Sequence, residues 1–246
     1  MGLSSDWSLC LQPIAFIIAL FEFVLLIFSL SFHECAHAWT ASFLGDHTAR
    51  LEGRVTLNPT YHVDPIGTLL FPALMIFGPL FGLGIGGMLV GWAKPTPVIT
   101  RNFRKIVRDD NLVTLAGPVS NLILVVAAFL VLAVICLAVP GGRMLVLASM
   151  GGMLSLGVPS GLQAVVLLAH LAILINLSLF FFNLLPIPPL DGSHILRNML
   201  PYNALRVYDG IGGWISWLLM ILVGGFILRL LLSPALAVVY FGLAHI

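Results

Sequence analysis

Long apolar runs alternate with short polar segments along this chain. The runs cover residues 11–30, 112–139, 162–185 and 211–232. Each is at least as long as the roughly 20 residues that a helix needs to cross the hydrocarbon layer of a bilayer. A further apolar stretch, residues 234–246, is predicted to pack along the membrane. The pattern predicts an all-α polytopic membrane protein, a bundle of about four to six transmembrane helices.

The composition supports this class. Hydrophobic residues make up 60% of the chain and charged residues only 9%, whereas charged residues approach about a quarter of an ordinary soluble domain. The formal net charge is +1, which argues against nucleic acid as a partner and leaves the lipid bilayer as the immediate environment.

Residues 65–92 are apolar but unsuited to one straight helix, because Pro72, Gly78 and Pro79 interrupt them. Basic residues flank this segment on both sides, and the positive-inside rule places both flanks in the cytoplasm. Two full spans would need about 40 residues, more than the segment has. We therefore predict a re-entrant or broken segment rather than one tilted span.

Residues 45–59 are the most polar stretch of the first half of the chain. Apolar and polar residues alternate from Arg50 to Glu52 and again from Arg54 to Leu57. Alternation with a period of two is typical of a strand. The pattern predicts a small β-ribbon at the membrane surface.

The strongest chemical signal is His33-Glu34-Cys35-Ala36-His37, which continues the first apolar run. In a helix the two histidines point the same way, so two neutral imidazoles can bind one Zn²⁺ with Glu34 beside them as a general base. Inserting one ionisable side chain at membrane depth costs roughly 2.5 to 3.5 kcal/mol. A bound metal would explain why three such side chains lie within five residues. The motif favours catalytic zinc over a structural or transported metal and over ordinary hydrogen bonding between helices.

Other polar residues of the same helix share the face of His33. These are Glu22, Ser29 and Thr40. The polar stripe that they form either faces the interior of the bundle or, through Glu22, lines a water or substrate route to the metal.

A third metal ligand is expected after the third run. Pro186, Pro188 and Pro189 end that helix on the same predicted side of the membrane as the histidine motif. Asp191 would complete a His₂Asp set with one open position, as in catalytic zinc sites. Because Asp-Gly is also a common turn and His194 is a rival ligand, the residues alone leave this choice open.

Asn121 is an amide among the aliphatic residues of the second run. A buried amide in a membrane helix needs a hydrogen-bond partner. That partner is either a neighbouring helix or a substrate carbonyl or oxyanion.

Three motifs together resemble the site-2 protease family of intramembrane zinc metalloproteases. They are the element from His33 to Trp39, the Gly-Pro-Val-Ser-Asn element of residues 117–121, and the Asn-Leu-Leu-Pro-Ile-Pro-Pro-Leu-Asp-Gly element of residues 183–192. The compact layout, with a Gly-Trp-Ala-Lys-Pro element at residues 91–95, is similar to the short bacterial subgroup that lacks a PDZ domain and a C-terminal regulatory domain.

This resemblance implies a function. Residues 1–246 would form a single integral-membrane peptidase domain that hydrolyses peptide bonds in or near transmembrane segments of membrane-protein substrates, as in regulated intramembrane proteolysis. The implied location is a bacterial plasma membrane, crossed several times, with the active site toward the cytoplasmic side.

The resemblance also implies the residues of the site and one Zn²⁺ per chain. The zinc ligands would be His33, His37 and Asp191, the general base and acid Glu34, and the polar groups near the substrate backbone Asn121 and Asn183. Residues 94–98 would pair, as an edge strand, with a substrate helix unwound for cleavage.

The competing class is a metal transporter or a non-catalytic metal-binding membrane protein. Such a protein would need several carboxylates or histidines along an ion path. Of the polar stripe, only Glu22 qualifies beyond the motif itself.

Overall fold

Helices make up most of the protein. The computed structural model describes residues 7–83, 91–151, 161–210 and 213–246, and among these residues no β-strand occurs, so the all-α prediction is confirmed. The α-helices are α1 (Trp7–Leu44), α2 (Thr48–Leu51), α3 (Phe71–Phe77), α4 (Ile106–Ala138), α5 (Gly142–Met150), α6 (Gly161–Asn183), α7 (Asp191–Met199), α8 (Tyr202–Asp209), α9 (Trp214–Leu219) and α10 (Gly225–Ala244).

Four helices in the described part of the chain are long and apolar enough to cross a membrane. They are Ala15–Leu44 of α1, Ile106–Ala138, Gly161–Asn183 and Gly225–Ala244. The last differs from the predicted span at residues 211–232, because α10 continues through Pro234. Leu232 and Ala235 pack against the core on either side of this proline, and that packing holds the helix together.

The long helix α4 lies at the centre of the bundle, where it packs against α1, α5, α6, α7 and α10. Its apolar half joins α6 and α10 in a core cluster that includes Leu132, Ile173 and Leu243. On the other side, α1 and α6 are joined by a buried hydrogen bond of 3.0 Å from the Asn176 amide to the Ser29 hydroxyl. The centre of the bundle is therefore apolar at one end and polar where α1 approaches α6.

The predicted re-entrant or broken segment begins as short, interrupted helices. A π-helical turn (Pro65–Leu70) leads into α3 and then a 3₁₀ turn (Gly78–Phe81). The Trp92 N–H donates to the Gly67 carbonyl at 3.1 Å, and the Thr68 hydroxyl donates to the Trp92 carbonyl at 2.7 Å. The chain therefore returns at residue 92 to the place that it left near residue 67, as the prediction requires.

The β-ribbon predicted between residues 50 and 57 is wrong. Helix α2 occupies Thr48–Leu51, and the chain then turns. The Arg54 N–H donates to the Ala49 carbonyl at 2.9 Å, and its guanidinium donates to the carbonyl of Tyr61. These local hydrogen bonds bury Arg54. Its backbone and side chain are therefore not available for the pairing that a strand would need.

Residues 91–99 are not helical, and we call them the proline segment. Pro95 and Pro97 prevent a helix here by restricting the residues before them to extended conformations. The Lys94 N–H donates to the His62 carbonyl at 2.8 Å, and the Ile99 N–H donates to the Asp46 carboxylate at 2.7 Å. The segment is thus held at both ends while it crosses beside α1.

Candidate metal centre

Helix α1 brings two imidazoles together in the interior. His33 and His37 lie one turn apart and are both buried, and their Nε2 atoms are 3.0 Å apart. Asp191, the first residue of α7, places its Oδ2 3.1 Å from the Nε2 of His33 and 3.5 Å from that of His37. Three potential donor atoms from distant parts of the chain therefore converge.

The other ring nitrogen of each histidine is also engaged. His37 Nδ1 lies 2.7 Å from the Val113 carbonyl oxygen. Because a carbonyl can only accept, Nδ1 carries the proton and the lone pair of Nε2 is free to bind a cation. His33 Nδ1 lies 3.1 Å from the amide of Asn121, a fully buried side chain of α4.

The orientation of the Asn121 amide follows from its surroundings. With Nδ2 toward His33, the buried Oδ1 has no hydrogen-bond partner among the described residues. Rotating the amide by half a turn exchanges the two atoms, and Oδ1 then accepts the N–H of His33 Nδ1. In that orientation Asn121 fixes the tautomer that leaves Nε2 of His33 free.

Gly117 of α4 makes room for the two imidazoles. A Cβ at this position would lie 2.3 Å from His37 Nε2 and 2.5 Å from His33 Nε2. No side chain can be accommodated at that distance without displacing the rings. The glycine is therefore a requirement of the site rather than a point of weakness in the helix.

Asp191 reaches the histidines because the chain turns sharply after α6. A Cβ on Gly192 would lie 2.1 Å from the Leu184 carbonyl oxygen, so the start of α7 packs directly on the end of α6. At its other end α7 is tied to α4, since the Asn198 amide donates to Asp110 at 2.7 Å and to Asn111 at 2.8 Å. These contacts hold the carboxylate against the histidines.

The charge of Asp191 is also favoured by its neighbours. Burial by itself would raise the pKa of this carboxyl group, but protonated imidazoles at His37 and His33 would outweigh burial and hold the pKa below its usual value. Within the described part of the chain, the buried Asp191 Oδ2 has no hydrogen-bond partner, as expected of an atom that faces a cation.

The three side chains fit a metal ion. Nitrogen and oxygen ligands about 2.0 to 2.1 Å from a tetrahedral zinc stand roughly 3.3 Å apart, and the observed separations run from 3.0 to 3.5 Å. His33, His37 and Asp191 form the one such donor group among the described residues. Three protein ligands leave a fourth position open, which is the arrangement of catalytic rather than structural zinc sites.

Glu34 faces the proline segment. Its Oε2 accepts a hydrogen bond from the Thr96 N–H at 3.2 Å and another from the Thr96 hydroxyl at 2.7 Å. The sequence did not reveal this contact, because neither helical periodicity nor a motif connects residues 62 positions apart.

A cavity of about 890 Å³ opens beside these groups. Apolar side chains of the membrane-spanning helices form part of its wall, among them Leu26, Leu30, Leu179 and Phe182. The predicted site residues that line it are His33, Glu34, His37, Asn183 and Asp191. The cavity places a general base and the donor group next to a largely apolar space.

The other candidates lie elsewhere. Asn121 sits behind His33 and is not among the residues that line the cavity, and neither is Glu22. His194 lines the cavity but is not part of the donor group, whereas Asp191 is. Among residues without a predicted role, Gly117 could have been suspected from its position inside an apolar helix.

A helical membrane bundle with a His-Glu-x-x-His helix and a carboxylate as the third donor defines the class of membrane metalloproteases. The chain belongs to peptidase family M50, the site-2 protease family, whose family model matches residues 21–209. It is an integral membrane zinc metalloprotease.

Curated relatives are similar over much of the chain. YwhC of Bacillus subtilis, whose name describes a zinc metalloprotease, is 40% identical over 178 residues, 72% of this chain and 68% of YwhC. Rip2 of Mycobacterium tuberculosis, named in the same way, is 32% identical over 220 residues, 88% of this chain and 68% of Rip2. No solved structure matches the chain.

Proposed function

We propose that this protease cleaves membrane-protein substrates within or near their transmembrane segments. The observation that carries the proposal is the position of the site. His33 and His37 lie inside the span Ala15–Leu44, and the cavity beside them is lined by apolar residues of α1 and α6. A peptide bond that reaches this site must enter a space at membrane depth, which suits an apolar segment better than a soluble chain.

In the proposed mechanism, His33, His37 and Asp191 hold one zinc ion per chain. When bound, zinc acts as a Lewis acid that makes water more acidic and polarises a carbonyl oxygen. Glu34 accepts the proton of the attacking water and then delivers it to the amine of the leaving peptide. The new C–O bond forms first, and the peptide C–N bond breaks afterwards, as the leaving nitrogen takes the proton from Glu34. The water thus supplies the hydroxyl of the new carboxyl group and the proton of the new amine.

The chain's own amides have different parts in this proposal. Asn183 lines the cavity and can donate to a backbone carbonyl of the substrate. Asn121 contacts His33 and therefore supports a ligand rather than the substrate. Within residues 94–98, Pro95, Thr96 and Val98 line the same cavity, and this non-helical stretch offers its backbone to an unwound substrate segment.

We further propose that the whole chain, residues 1–246, works as a single peptidase domain in a bacterial plasma membrane, with the site toward the cytoplasm. Basic residues support this orientation, since Arg50 and Arg54 precede the re-entrant segment and Lys94 and Arg101 follow it.

Metal transport, the competing function, has less support. An ion route needs further donor side chains, and Glu22 does not line the cavity.

The test is to map the bond that is cut. The purified protein is placed in lipid vesicles with a single-span model substrate, and the product termini are identified by mass spectrometry. We expect termini inside or next to the apolar segment, and faster cleavage when a proline loosens the substrate helix. Cleavage confined to the soluble parts of the substrate would contradict the proposal.

A further inference from the structure

Thr96 makes three contacts with a single residue of α1. Its backbone N–H and its hydroxyl both donate to Glu34 Oε2, at 3.2 and 2.7 Å. The same hydroxyl lies 3.3 Å from the backbone carbonyl oxygen of Glu34. Among the described residues, Glu34 Oε1 accepts no hydrogen bond, so the carboxylate is held by one oxygen and open at the other.

The proline segment is built to present Thr96 in this way. Pro95 and Pro97 lack an N–H, so the N–H of Thr96 is the one backbone donor between them. Hydrogen bonds on both sides fix the backbone, from Lys94 to the His62 carbonyl at 2.8 Å and from Ile99 to Asp46 at 2.7 Å. The position of the donor is therefore set by the fold and not by a mobile side chain.

The contact matters because a glutamate side chain is otherwise free to rotate. Its flexible stem permits several rotamers, and ordering such a side chain costs conformational entropy. A catalytic group misplaced by about 1 Å can slow a reaction by roughly 100-fold. A fixed pair of donors on Oε2 removes this freedom before the substrate arrives.

We propose that Thr96 is a positioning residue for the protease. It holds Glu34 through Oε2 and leaves Oε1 facing the cavity for proton transfer. The inference rests on the proposed role of Glu34 as general base. It adds to the reaction a residue that lies 62 positions from Glu34 and that, among the described residues, makes its side-chain hydrogen bonds to Glu34 rather than to a metal donor.

Three variants test this role. Thr96→Val keeps the shape of the side chain and removes the hydroxyl, whereas Thr96→Ser keeps the hydroxyl. Thr60→Val is the matched control, because Thr60 also donates its N–H and hydroxyl to one side-chain oxygen, Asn58 Oδ1, at 3.2 and 2.9 Å. Thr60 lies in a short 3₁₀ helix (Pro59–Tyr61) and is not among the residues that line the cavity.

We expect Thr96→Val to lower kcat about tenfold or more with little change in KM and with zinc content equal to the wild type. Thr96→Ser should recover most of the lost kcat, and Thr60→Val should match the wild type. A wild-type kcat in Thr96→Val, or an equal loss in Thr96→Ser, would overturn the proposal. So would a change confined to KM, which would make Thr96 a substrate-binding residue.

A second measurement does not depend on activity. Thermal unfolding midpoints of the wild type, Thr96→Val, Glu34→Ala and the double variant form a cycle that isolates the contact. Thr96→Val should lower the unfolding midpoint when Glu34 is present. In the Glu34→Ala background the same change should lower the midpoint much less. Additive effects would show that the two side chains do not interact and would overturn the proposal. If the wild type did not cleave the model substrate at all, that result would contradict the proposed function, whereas the unfolding cycle would still test the contact between Thr96 and Glu34.

Discussion

The cavity has two walls that are built differently. On one side, α1 carries His33 and His37 and α7 carries Asp191, while α4 holds the second nitrogen of each imidazole. On the other side, the proline segment has no regular secondary structure and contributes backbone groups and Thr96. The helical wall brings together the donors for a metal, whereas the proline segment contributes the hydrogen bonds of Thr96 to the base, Glu34.

This difference separates two requirements of a metalloprotease. Metal ligands need fixed separations between side chains, which packed helices supply. The acid–base group and the substrate need backbone donors and acceptors, which a helix uses up in its own hydrogen bonds. Changes in the helical wall should therefore remove zinc and activity together, and changes in the proline segment should reduce activity while zinc stays bound.

Gly117→Ala should have the largest effect on the helical wall. The added methyl group would overlap both imidazoles, with 2.3 Å to His37 Nε2. We expect zinc affinity to fall by more than about 100-fold, beyond the loss typical of removing a supporting residue, and cleavage to disappear. Zinc content of the purified protein, measured with size-exclusion chromatography to confirm folding, checks this.

Gly224→Ala is the matched control. A methyl group there would lie 3.7 Å from its nearest neighbours, Leu185 and Phe182, which is ordinary contact. It should keep both zinc and activity. Normal zinc binding by Gly117→Ala would show that the helical wall does not constrain the metal centre as described.

Asn121→Leu should have an intermediate effect on the same wall. The change keeps the number and branching of the side-chain heavy atoms and removes the partner of His33 Nδ1. Loss of such a partner typically lowers metal affinity about 10- to 100-fold, so excess zinc should restore much of the activity. If Asn121→Leu kept the wild-type zinc affinity and lost only kcat, Asn121 would instead act on the substrate.

Asp46→Asn should have the smallest effect and should act through the proline segment. The buried Asp46 carboxylate accepts hydrogen bonds from Thr48, Ile99 and Asn102, at 2.6 to 3.2 Å. An amide cannot accept all of them, and losing a hydrogen bond to a charged group costs about 1.5 to 3 kcal/mol. We expect a lower unfolding midpoint, a kcat reduced by a few fold, and unchanged zinc content.

The effect of Asp46 should depend on pH in a defined direction. Burial would raise its pKa, but the hydrogen bonds from Thr48, Ile99 and Asn102 outweigh burial and lower it. The pKa of Asp46 in the folded protein is therefore below the value of about 3.9 for the unfolded chain. The ionised carboxylate stabilises the fold fully when the pH is above that unfolded pKa, and this stabilisation is lost as the pH falls through the folded pKa. The difference between the unfolding midpoints of the wild type and Asp46→Asn should stay constant from about pH 5 to 7 and become smaller below about pH 4. A difference that already became smaller near neutral pH would contradict the lowered pKa of Asp46.

The two walls also differ in how far the sequence revealed them. Helical periodicity brought His33 and His37 together, and the apolar runs predicted the spans of α4 and α6, because both depend on neighbours along the chain. Residues that act across the fold could not be found in this way. Thr96 and Gly117 matter only because α1 passes beside them, and the predicted β-ribbon failed because Arg54 turned inward to bind a carbonyl.

The most direct test of the central claim is a paired measurement on the wild type and Glu34→Gln. Zinc content and cleavage of a model transmembrane substrate are measured on the same detergent-purified preparations. Because Glu34 is not one of the three donor residues, both proteins should hold one zinc per chain, and only the wild type should cleave. Cleavage by Glu34→Gln at the wild-type rate would contradict the account, since Glu34 would then not be the group that moves the proton.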